Sequence, residues 1–108
     1  MTQNYQGDIS LIKISENQLP KLTFRKLEKP QIVAEGEITG HKHQLQVLDP
    51  TAKVEIAEDK NGFYLKVNEG QAILTHDKHN QQTIKQGIWF IGKQYEYDEL
   101  ERYKQIRD

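Results

Sequence analysis

Four histidines are the side chains of this chain best suited to chemistry. They come as two close pairs, His41 with His43 and His76 with His79. A neutral imidazole is the commonest metal ligand among side chains. Side chains alternate between the two faces of a strand, and neighbours on one face stand roughly 6.5–7 Å apart. His41 and His43 therefore share a face with Leu45 and Val47, while Lys42, Gln44 and Gln46 share the other. Two imidazoles at that spacing can lean onto one ion, with zinc–nitrogen bonds of about 2.0–2.1 Å. His76 follows the apolar run Ala72-Ile73-Leu74-Thr75, and His79 lies in the next turn. All four thus fall at two strand–loop junctions. The plainer alternative is two unrelated pairs whose rings hydrogen-bond to nearby carbonyls. Glu35, Glu37 and Asp77 lie close enough in sequence to supply an oxygen ligand or to orient a ring.

The segments that must position these residues read as strands. His41 to Leu48 has the alternation of a half-buried strand. Before it, Gln31 to Ile38 reads as a strand with Ile32, Ala34 and Ile38 on one parity, interrupted by Gly36, where a bulge is expected. Lys53 to Glu58 alternates with Val54 and Ile56 inward. Asn61-Gly62 then suits the positive φ values of a type I′ hairpin turn. Phe63, Leu65 and Val67 face inward on the return strand, and Gln71 to Thr75 leads to His76.

Further out, Asp8 to Ile14 reads as the first strand, with Ile12 making its pattern partly two-sided. Ser15 to Pro20 is a loop by composition, and Leu22 to Leu27 is ambiguous. Gln82 to Lys85 has the length of a short strand. Ile88 to Tyr97 is the most apolar and aromatic run, hence a central strand, with a bend expected at Gly92. Asp98 to Ile106 fits a short C-terminal helix. Asp98 and Glu101 resemble a capping box, and Leu100 and Tyr103 form a docking stripe. Many short strands with frequent turns indicate an all-β class, a small, mainly antiparallel barrel or sandwich. The expected organisation is a single β domain over residues 1–108.

Composition narrows the function classes. The chain has 108 residues and no cysteine. Disulfides, thiolate nucleophiles and cysteine-bound metals are excluded. No apolar run approaches the roughly 20 residues of a membrane-spanning helix, and the first residues lack the pattern of a signal peptide. A soluble cytoplasmic protein is expected. With 15 basic and 16 acidic residues the net charge is −1, which provides no global pull on nucleic acid or membrane. Lys21, Arg25, Lys26 and Lys29 cluster locally. They fit the solvated side of an edge strand, where lysines discourage aggregation.

Other chemistries find little support. The only serines, Ser10 and Ser15, stand in no nucleophile motif. The glycines are scattered among strand turns rather than gathered into a phosphate-binding loop. No catalytic residue is assigned.

Two resemblances rest on the same motifs. Gln6-Gly7-Asp8, Gly36-Glu37-Ile38-Thr39-Gly40-His41-Lys42-His43, Thr75-His76-Asp77-Lys78-His79 and Gln94-Tyr95-Glu96-Tyr97 together resemble an uncharacterised family of small bacterial and phage proteins. That likeness implies no activity. The stretch Gly36 to His43 is also similar to the first motif of cupins, β-barrels that often bind iron, manganese or zinc. Here the spacing from Gly36 to His41 is one residue short, and no glutamate follows His43 at the expected distance.

The expectation is a small β domain binding a divalent metal (zinc, iron or manganese) through His41, His43, His76 and His79. The alternative is a metal-free protein-interaction or self-association module without catalysis, contacting an unknown protein partner or a second copy.

Overall fold

The computed structural model describes residues 3–6, 9–35, 42–76 and 79–93, with side chains described over 9–33, 42–76 and 81–92. Gly36, Glu37, His41 and Asp77 lie outside the described residues, as does the helix expected over 98–106. Among the described residues the only helical turn is the 3-10 turn Glu16–Gln18. It sits inside the expected loop, where the Ser15 N–H donates to Gln18 Oε1 at 2.8 Å.

The strands form two antiparallel sheets. The first has six strands, in the spatial order β1 (Gln3–Gln6), β2 (Ile9–Ile14), β10 (Gly87–Lys93), β7 (Gly62–Glu69), β6 (Lys53–Asp59) and β3 (Arg25–Lys26). The second has four, in the order β4 (Gln31–Glu35), β5 (Lys42–Gln46), β8 (Ala72–His76) and β9 (His79–Ile84). The strands do not close into a barrel, because they divide between two sheets that end at β1, β3, β4 and β9. Leu45, Leu74 and Ile84 of the smaller sheet join Leu11, Ile56 and Leu65 of the larger in one core. The two sheets therefore face each other across that core, and the sandwich alternative describes the fold.

The strand β10 is central, as its composition suggested, lying between β2 and β7. It buries both faces. Trp89 and Ile91 enter the shared core, while Phe90 turns to the far side of the six-stranded sheet. The buried indole N–H donates to the Lys85 carbonyl at 2.9 Å, giving its polar atom a partner. Two-sided burial extends to β2, where Ile9 and Leu11 face the shared core and Ile12 and Ile14 face away from it. A second apolar cluster results. Ile12, Ile14, Tyr64 and Phe90 are covered by Leu19, Leu22 and Phe24 from the segment between β2 and β3. This resolves the ambiguous piece Leu22 to Leu27. Its first half covers the sheet, while Arg25–Lys26 forms an exposed edge strand and Leu27 is buried.

Two expectations about local geometry need correction. The β6–β7 hairpin forms where Asn61-Gly62 placed it, with Asp59 opposite Gly62. However, the positive φ belongs to Gly62 at +153°, and no other described residue than glycine has one. The turn is held instead by the Asp59 carboxylate, which accepts the Asn61 N–H at 2.8 Å. Gly62 is required for a further reason, since a Cβ there would stand 2.6 Å from the Ile91 carbonyl oxygen. The buried Gly92 likewise makes room for its neighbours. A Cβ would meet the Phe90 ring at 2.9 Å and the Asn61 carbonyl at 3.1 Å. Its role is close packing against the hairpin, in place of the expected bend.

The second correction concerns β4. The register of β4 against β5 shifts between Ile32 and Ala34. A bulge of this kind changes which side chains point inward. Val33 packs on the core, and Ile32, expected inward, is exposed.

Candidate functional site

The geometry of the four-stranded sheet begins from its alternation. On β5, His43 and Leu45 are buried while Lys42 is exposed. On β8, Ala72 and Leu74 enter the shared core, so His76 shares their parity. The pairing of β5 with β8 sets Leu45 opposite Leu74 and His43 opposite His76. Directly opposed residues on one face approach to about 4.5–5.5 Å between Cβ atoms. The rings of His43 and His76 accordingly meet, with centroids 4.2 Å apart and planes inclined at 36°. His43 is 1% exposed, and His76 is half-buried.

The row continues along the backbone register. A shift between Leu74 and His76 in the β8–β9 pairing places His79 opposite His76. On the other side, Ala34 of β4 lies opposite His43. One row across the sheet thus runs Ala34, His43, His76, His79. The fold brings three of the four histidines onto neighbouring strands at one level. His41 lies two positions before His43, outside the described residues, as do Glu37 and Asp77. Among the described residues, no third metal-ligating side chain joins the two imidazoles in a group.

The next row shows what the histidines replace. Leu45 and Leu74 are followed by Gln82 of β9, opposite Leu74 and half-buried. The sequence reading used Gln82 only as the start of a short strand. Its inward side follows from its pairing with Leu74, which no local pattern reveals.

The serines lie elsewhere. Ser10 is fully buried in β2, opposite Gly92 of β10. Ser15 is exposed, with its hydroxyl bound to the side chains of Asn17 and Gln18. Two titratable groups outside the histidine row are shifted. The Asp49 carboxyl is held below its ordinary value because it accepts the Thr51 N–H and the Thr51 hydroxyl. The Tyr64 phenol is raised far above its ordinary value, first by burial and then by the neighbouring Asp59 carboxylate. Its hydroxyl donates to Asp59 Oδ2 at 3.3 Å. Among the described residues, no helix is long and apolar enough to cross a membrane.

No curated protein matches the chain, and no solved structure does. The family described as Domain of unknown function (DUF8820) matches residues 5–94. That span takes in β2 to β10 and the row from His43 to His79. The expected kinship with an uncharacterised family is met at that level, and the chain belongs to the DUF8820 family.

Proposed function

We propose that the histidine row is a divalent-metal site, with His43 and His76 as its two central ligands, His79 next in register and His41 beside them. The contact between the His43 and His76 rings carries this reading. Two imidazoles on one tetrahedral zinc hold their ring centroids about 5 Å apart, given zinc–nitrogen bonds of about 2.0–2.1 Å. The observed 4.2 Å is slightly tighter. Binding therefore requires the rings to splay by about 1 Å, a movement within the reach of side-chain rotation. Imidazole ligands suit zinc and iron better than manganese, which favours carboxylate oxygens. Zinc and iron(II) are accordingly the first ions to supply, with manganese(II) third.

Elemental analysis and calorimetric titration of untagged protein test the site. The parent is expected to hold one ion per chain. His43→Ala and the milder His76→Gln should each weaken binding at least about tenfold, since even residues that only orient metal ligands are worth about 10–100-fold. At a free zinc concentration about 100 times the dissociation constant, the parent should gain about 2.7 kcal/mol of stability. A parent that takes up none of the three ions, or a His76→Gln variant that binds as the parent does, would sink the reading.

The second reading, a self-association module, is favoured by one observation. Leu48 is 69% exposed, the most exposed large apolar side chain among the described residues.

A further inference from the structure

Leu48 lies in the connection between β5 and β6, on the wall of a pocket of about 270 Å³. The pocket joins two distant segments. The end of β3 contributes Lys26, Leu27 and Glu28, and the β5–β6 connection contributes Val47, Leu48, Asp49 and Ala52. Leu27 and Ala52 are buried and Val47 half-buried, so the floor is apolar. Lys26, Glu28 and Asp49 are exposed and form the rim. An apolar cavity of about 150 Å³ already admits benzene, so this one has room for a branched aliphatic side chain.

We propose that the pocket receives Leu48 of a second copy of this chain, in a two-fold symmetric dimer. The inference rests on the self-association reading alone and is independent of the metal. Two features argue for a second copy as the occupant. First, an apolar knob and an apolar-floored hole lie side by side on one surface. A two-fold axis between them seats each knob in the other copy's hole, which is the self-complementarity such an interface requires. Secondly, the rim carries both charges. Rotation about the same axis brings Lys26 of one copy toward Glu28 or Asp49 of the other, so the rim attracts itself. The Asp49 carboxylate is held by Thr51 and keeps its charge at neutral pH. A partner with a uniformly acidic or basic surface would meet a like charge on this rim.

The patch is small beside the roughly 1,200–2,000 Å² buried in stable complexes. A weak dimer is expected, with a dissociation constant on the order of 0.1 mM. Sedimentation equilibrium of the full chain across about 0.01–1 mM measures it. Parent protein should pass from monomer to dimer over that range. Leu48→Asp, at a site exposed enough to leave the fold intact, should weaken association at least about tenfold. Lys26→Glu should weaken it too, and adding Glu28→Lys should restore it. A parent that stays monomeric throughout overturns both this inference and self-association. A Leu48→Asp variant that dimerises as the parent does overturns this surface while leaving self-association standing.

Discussion

The outer face of the six-stranded sheet carries Ile12, Ile14, Tyr64 and Phe90 beneath a covering of Leu19, Leu22 and Phe24. The outer face of the four-stranded sheet carries Gln44, Thr75 and Thr83, with Ile73 tucked among them. Both sheets put aliphatic side chains into the shared core. Only the larger is dry on two sides. The smaller depends on its inner face, and at one end that face turns from leucine to histidine. Functional groups tend to sit where local stability is lowest, because replacing an aliphatic pair with imidazoles gives up apolar burial. The six-stranded sheet acts as the scaffold, and the four-stranded sheet carries the groups able to do chemistry.

Three measurements would break or sharpen this contrast. Phe90→Ala should have the largest effect. The ring is fully buried and meets Tyr64 edge-on at 5.2 Å between centroids. Its removal should cost about 3–5 kcal/mol in denaturant unfolding. A loss under about 1 kcal/mol would show that the second cluster contributes little and that the two sheets are less different than their faces suggest.

Tyr64 comes next and adds a pH dependence. The folded state holds the phenol in its protonated form far above its ordinary range, whereas in the unfolded chain it ionises near pH 10. Its contribution is therefore complete below about pH 10 and declines as pH rises beyond that. Tyr64→Phe should cost about 1 kcal/mol at neutral pH through the lost bond to Asp59. It should also flatten the decline in stability between about pH 10 and 11. An unchanged alkaline profile in the variant would count against a dry environment for this residue. Thr83→Ala, on the exposed face of β9, should have the smallest effect, within about 0.5 kcal/mol. A larger loss would mean that this face is covered in solution.

Much of this was legible in the sequence because it is local. The alternation of His43 and Leu45 against Lys42, the hairpin after Asp59, and the central place of Ile88 to Ile91 each follow from neighbouring residues. The strand β1 was missed because Gln3–Gln6 is an edge strand without apolar alternation. Ile32 was placed on the wrong face because a one-residue bulge inverts parity without altering composition. The histidine row was only half legible. Two pairs at strand ends were visible, but which strands adjoin depends on tertiary pairing. The level at which His76 meets His43 depends further on register, and the shift that brings His79 opposite His76 leaves no local trace.

The position of β10 also constrains the order of assembly. Ile14 pairs with Ile88 and Ile9 with Lys93, so β2 finds its inner neighbour only when one of the last described strands is available. Pairings so distant along the chain impose a large loop-closure cost, and folds dominated by them form slowly. During synthesis the β1–β2 hairpin would wait with the unpaired side of β2 open, bearing Ile9, Leu11, Ile12 and Ile14. Such an edge is a template for pairing with another chain. The strand that makes the finished scaffold rigid therefore leaves the nascent chain dependent on prompt completion or on a chaperone.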